Sequence, residues 1–175
     1  NPDNGSLLWS WTNNKGRGLS PAAVWPVKAN GKIFIVTPER MTHALDATTG
    51  SELWRAKGGR EGIGLSPDAS AVYVKTMQDT VFAYKTLTFT DGKPDRLWAS
   101  HTGFGYEIAP SPITSAYGFV FVPTDKGNIF VLNEKDGSVY GIIPFSGALI
   151  NYIQPAGNRR ILVSSMDGKV ALLEL

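Results

Sequence analysis

The sequence predicts an all-β fold made of about four repeated units, each of four short antiparallel strands. Three observations carry this. An aromatic residue returns at a nearly fixed interval, and two short apolar runs recur inside every interval. Gly-containing turns separate the runs, with no helical periodicity.

The recurring mark comes first. Asn4-Gly5-Ser6-Leu7-Leu8-Trp9 reappears as Thr49-Gly50-Ser51-Glu52-Leu53-Trp54, as Gly92-Lys93-Pro94-Asp95-Arg96-Leu97-Trp98 and as Asp136-Gly137-Ser138-Val139-Tyr140. The aromatic stands at 9, 54, 98 and 140, giving intervals of 45, 44 and 42 residues. The first apolar run of each interval is Lys32-Ile33-Phe34-Ile35-Val36, then Ala71-Val72-Tyr73-Val74, Gly118-Phe119-Val120-Phe121-Val122 and Ile161-Leu162-Val163. The second is His43-Ala44-Leu45-Asp46, Val81-Phe82-Ala83-Tyr84, Ile129-Phe130-Val131-Leu132 and Val170-Ala171-Leu172-Leu173. Turns such as Asp125-Lys126-Gly127-Asn128 and Asp167-Gly168 supply the positive φ that tight hairpins require. Ser20-Pro21, Ser66-Pro67, Ser111-Pro112 and Gln154-Pro155 lie ahead of the first runs, at the edge or opening of a strand, where proline removes no ladder donor.

Several runs are apolar at successive positions, as strands covered on both faces would be. Sheets stacked around an axis cover them in that way, and a four-stranded unit of this size is one blade of a β-propeller. The frame places the last strand of a preceding blade at 6–12, full blades at 19–57, 62–100 and 108–146, and a further blade at 150–175. It fits half of a seven- or eight-bladed propeller; the alternatives are a closed four-bladed ring, or two chains completing one ring. A first residue Asn1 in place of Met is the expectation for a processed or trimmed piece.

Composition narrows the function. The chain of 175 residues is 42% hydrophobic, with 17 basic and 15 acidic residues and no dense basic block, which argues against a nucleic-acid partner. No apolar run reaches the roughly 18 residues of a membrane span. Cysteine is absent, and His43 and His101 fall in non-equivalent parts of the repeat, so no metal site is expected. There is no Gly-x-Ser-x-Gly element, and Gly58-Gly59-Arg60-Glu61-Gly62 opens no helix, so neither a nucleophile elbow nor a phosphate loop is expected.

Ala44-Leu45-Asp46-Ala47-Thr48-Thr49-Gly50-Ser51-Glu52-Leu53-Trp54 resembles the repeat of the pyrroloquinoline-quinone-type β-propellers, with Val131-Leu132-Asn133-Glu134-Lys135-Asp136-Gly137-Ser138-Val139-Tyr140 as a looser copy. Ala83-Tyr84-Lys85 keeps the frame but carries a longer insertion before Trp98. Asp46 should accept hydrogen bonds from its own turn, Gly50 should supply the left-handed position, and Trp9, Trp54, Trp98 and Tyr140 should pack blade against blade. The resemblance implies a bacterial, extracytoplasmic scaffold or binding module, or else the propeller part of a larger hydrolase or kinase. The family's quinone dehydrogenases hold their cofactor with adjacent cysteines and an acidic calcium site, and this chain has no such cysteines. No cofactor and no catalytic residue are therefore expected, and a quinoprotein dehydrogenase fragment is the remaining alternative.

Propellers bind at a funnel rim, where the outer strand of one blade leads to the inner strand of the next. Here those connections hold Arg17, Arg60, Glu61, Tyr106, Glu107, Asn151 and Tyr152, charged and aromatic groups suited to a protein, glycan or small-molecule ligand. The expectation for a rim acid is that charge reversal at Glu61 or Glu107 weakens capture and leaves thermal unfolding nearly unchanged.

Overall fold

A computed structural model describes residues 1, 3–13, 25–60 and 62–175. Its first sheet is β1 (Val27–Ala29), β2 (Lys32–Thr37), β3 (Met41–Asp46) and β4 (Glu52–Lys57). The second is β5 (Gly62–Leu65), β6 (Ala71–Lys75), β7 (Gln78–Thr90) and β8 (Lys93–Tyr106). The third is β9 (Thr114–Ala116), β10 (Phe119–Pro123), β11 (Asn128–Asn133) and β12 (Val139–Pro144). The fourth is β13 (Ile150–Pro155), β14 (Arg160–Ser165) and β15 (Val170–Glu174). Every pairing is antiparallel between sequential strands, and no helix occurs among the described residues. The chain is all-β, four blades of a propeller in an array that does not close.

Register superimposes the units. Lys32 pairs with Asp46, Ala71 with Lys85, Phe119 with Asn133 and Arg160 with Glu174. Two residues further along the second strand stand Phe34, Tyr73, Phe121 and Leu162. The first three are buried against the next sheet, and Leu162 is 41% exposed. Between β3 and β4, β7 and β8, and β11 and β12 the register slips at one equivalent place, Ala44/Leu45, Ala83/Tyr84 and Val131/Leu132. The slip is a bulge that turns the outer strand and re-aims its side chains.

The core lies between sheets, in three layers. Phe34, Val36 and Trp54 of the first sheet meet Ile63, Val74 and Tyr84 of the second. Tyr73 and Trp98 of the second meet Val120, Val122 and Leu132 of the third. Phe121, Ile129 and Phe145 meet Ile150, Ile153 and Ile161 of the fourth. Dispersion and burial over these layers are what hold one blade to the next.

The repeat's turn works as its residues dictate. The Asp46 carboxylate accepts the N–H groups of Thr48 and Thr49 at 2.9 and 2.8 Å. Trp9 lies on Gly50 and donates its indole N–H to the Ala47 carbonyl, 3.1 Å away. Trp98 does the same two units along, lying on Gly137 and donating to Glu134. In the second unit Lys85 replaces the Asp, and the turn gives way to the long β7–β8 hairpin, reversed at Asp91-Gly92. Trp54 there packs edge-on to Tyr84, ring centres 5.7 Å apart. Tyr140 departs from the expected role. It is 69% exposed and leans on Phe119 of its own sheet, because it falls on the bulge: register sets Gly141 opposite Val131, where Trp54 stands opposite Ala44 and Trp98 opposite Ala83.

Candidate functional site

Antiparallel order brings two kinds of connection to one end of every sheet: the hairpins after the second strand, and the links from one sheet to the next. Hydrogen bonds stitch them together. Gly58 N–H donates to Arg40 O, Arg60 N–H to Lys75 O, Glu107 N–H to Met77 O, Phe145 N–H to Gly127 O and Met166 N–H to Leu149 O. Each of these links is therefore held by its backbone to a hairpin or strand of the sheet it leaves or enters.

Between the first and second sheets this end opens into a cleft of about 450 Å³. Met41, Met77 and Phe82 form its apolar floor, Thr76 and Thr80 one wall, and Glu39, Arg40, Lys57 and Gln78 its mouth. A second cleft of about 440 Å³ shares Glu39, Met41 and Lys57 and adds Asn13, His43 and Arg55. His43 is buried, with Nδ1 2.8 Å from Glu52 Oε2 and its ring 5.0 Å from that of Trp11, while its Nε2 meets no hydrogen-bond partner. Desolvation alone would raise the Glu39 pKa. Hydrogen bonds from its own backbone, Thr37 and Asn13, with the nearby His43, outweigh that and hold it below the ordinary carboxylate value. One oxygen accepts Asn13 Nδ2 at 2.7 Å; the other, Oε1, is shielded from water and unpartnered.

The expected rim residues are distributed unevenly. Arg17 and Glu61 lie outside the described residues. Arg60 is half-buried and its Nη1 donates to Met77 Sδ at 3.0 Å, beside the cleft. Tyr106, 61% exposed, ends β8 opposite Gln78. Asn151 and Tyr152 stand on β13 itself, not in a loop, half-buried and exposed respectively. Glu107 differs most. It is 2% exposed, paired with the equally buried Lys75, and its other oxygen accepts Asp125 N–H. Lys75 also donates to Pro123 O at 2.6 Å and lies over the Phe104 ring. Reversing the charge of Glu107 would therefore act on the fold first, because a buried cation would lose its partner.

Sequence reasoning passed over Glu39, Arg40, Met41, Lys57, Met77 and Phe82. A signal existed at one of them. The register-equivalent position in the hairpin after the second strand is Gly127 and Gly168 in the later units but Arg40 in the first. Among the described residues no cluster of metal-binding side chains occurs, and no helix is long and apolar enough to cross a membrane.

Residues 1–140 match the family model described as outer membrane protein assembly factor BamB. Curated protein sequences give no match. Among solved structures, the computationally designed Ika4 protein superimposes with a TM-score of 0.75 at 14% identity, covering 98% of this chain and 99% of that one. The computationally designed Ika8 protein does so with a TM-score of 0.70, also at 14% identity, over 87% of this chain but 45% of its own. At such identities the likeness is one of fold.

Proposed function

The chain belongs to the family described as outer membrane protein assembly factor BamB, and from that membership we propose that it is a non-catalytic binding and scaffolding module that engages a protein partner through the rim of its blades. The single observation that carries this is the rim's construction. Links between sheets are held by backbone hydrogen bonds to a hairpin or strand of the sheet they leave or enter, and an apolar-floored cleft with an ionised mouth opens between the first two. A pre-formed surface of that kind lowers the ordering cost of association. Arg60, Tyr106, Asn151 and Tyr152 extend the surface around the cleft, with aromatic and Arg groups of the sort that anchor interfaces. The same membership supports a location outside the cytoplasm, in a bacterial envelope.

The test is site-specific photo-crosslinking in bacterial envelope extracts. Benzoylphenylalanine placed at Tyr106 or Tyr152 is expected to capture a common protein partner. The same group at Lys135, exposed at the opposite end of the third sheet, is expected not to. Capture from Lys135 without capture from the rim would reject the reading.

A further inference from the structure

The four hairpins after the second strands are equivalent by register, and the same residue of each has positive φ: Arg40 at 64°, Asp79 at 61°, Gly127 at 78° and Gly168 at 85°. Glycine adopts that conformation freely, whereas a side chain there strains the backbone. Asp79 has a structural use, accepting from Thr102 Oγ1 at 3.3 Å. Arg40 makes no side-chain hydrogen bond or ion pair among the described residues, yet its side chain lines the cleft between the first and second sheets. Lys57, exposed and equally without an ion pair, stands at the same mouth. At the equivalent junction of the second and third sheets the space is closed by Lys75, Glu107 and Phe104. Among the described residues the first junction has no such filling.

Resting on the reading of the chain as a binding module, we propose that this cleft binds an extended acidic peptide segment, whose aromatic anchor sits on Met41, Met77 and Phe82 and whose adjacent carboxylate is held by Arg40 and Lys57. The floor accepts the ring, and thioethers adapt to its outline. The cleft volume of about 450 Å³ lies within the range of ligand pockets and exceeds what one ion requires. Glu39, the one acid among the described residues of the mouth, is held by Asn13 Nδ2 at 2.7 Å. Arg40 offers the planar fork that matches a carboxylate.

Three fluorescein-labelled heptapeptides test this with the 175-residue chain by fluorescence anisotropy: Gly-Ser-Asp-Phe-Asp-Ser-Gly, its Lys-for-Asp counterpart, and its Ala-for-Phe counterpart. The first is expected to bind at least tenfold more tightly than either other, with affinity falling as salt rises. Arg40→Gly restores the residue that two sister hairpins use. It is expected to reduce that affinity about tenfold without lowering Tm, a combination a merely structural arginine would not give. Lys57→Gln, at an exposed position, is expected to weaken binding in the same direction. Equal or tighter binding of the lysine peptide, no binding of any peptide, or unchanged affinity in Arg40→Gly would overturn the proposal. Capture at Tyr106 and Tyr152 would stand independently of these outcomes, which separates failure of the cleft assignment from failure of the module reading.

Discussion

The indole of Trp98 lies flat on Gly137 and donates its N–H to the Glu134 carbonyl, 3.0 Å away, across the boundary between the second and third sheets. Trp9 holds the same relation to Gly50 and Ala47, two units earlier in the frame. The tryptophan of one unit and the glycine of the next are therefore a single fastening. A methyl group on Gly137 would stand 2.5 Å from the indole, on a backbone whose φ of 74° already disfavours any side chain. Gly137→Ala is expected to lower stability by roughly 2–4 kcal/mol, combining left-handed strain with overpacking. Chemical denaturation measures it, and a loss below about 1 kcal/mol would contradict the fastening.

Trp54 and Tyr140 hold equivalent places in the repeat but not in the structure. Trp54→Ala should cost roughly 3–5 kcal/mol, as for a buried aromatic, whereas Tyr140→Ala, at a largely exposed ring, should stay within about 1 kcal/mol. Comparable losses in paired denaturant titrations would show that exposure is the wrong criterion.

Lys75 and Glu107 form an ion pair away from water. Either Lys75→Met or Glu107→Leu alone should destabilise by about 3–5 kcal/mol, because the remaining buried charge loses this counter-charge. The double variant Lys75→Met with Glu107→Leu should recover much of that loss. Additive losses in the double-mutant cycle would mean the two groups do not act as a pair.

Acid sensitivity follows from the turn carboxylates. Hydrogen bonds from Ser66 and Ser70 bring the Asp68 pKa down to about 2, and Asp46, Asp95, Asp136 and Asp167 are lowered by hydrogen bonds within their own turns. A depressed folded-state pKa gives stability that is present above the unfolded value near 3.9 and lost as pH falls toward the folded value. Tm should therefore hold between pH 7 and 5 and fall between about pH 4 and 2. Asp68→Asn should make that fall shallower. Thermal scans at several pH values decide it; a flat profile down to pH 2 would exclude these carboxylates as the cause.

Alkali acts on Tyr84. Burial raises its pKa to about 12 against the attraction of Arg96. A raised folded-state pKa keeps its stabilisation below pH 10 and loses it as pH rises through about 12. Tyr84→Phe should reduce the Tm loss over that window, and an unchanged loss would show that other groups govern it.

The repeat was legible because its physics is local. Asp46, Gly50 and Trp54 each meet a requirement of one turn or one strand end, and those requirements recur wherever the motif does. What depends on distant partners was less legible. Glu107 has the address of a rim loop but the surroundings of a core, since Lys75 reaches it from another strand. Lys75 itself was a usable sign: it closes Ala71-Val72-Tyr73-Val74-Lys75 at a place taken by Val36, Pro123 and Ser164 in the other units, and a buried ammonium requires a counter-charge. The cleft was hidden for a related reason, because no repeat frame specifies which junction between sheets is left unfilled. Tyr140 matched the motif by its interval from the other aromatics, but it follows Gly137 by three residues where Trp54 follows Gly50 by four, so the register gives that place to Gly141.

The register slip shared by the first three sheets lies inboard of the outer turn. The second unit runs β7 and β8 well past it, to Asp91-Gly92, while Ala83 and Trp98 keep their places in the layer beneath. In the second unit chain length is thereby gained beyond Tyr84 without displacing the layer beneath. The Asp91-Gly92 tip is an attachment point for a foreign epitope or a reporter that leaves the blades and their rim undisturbed.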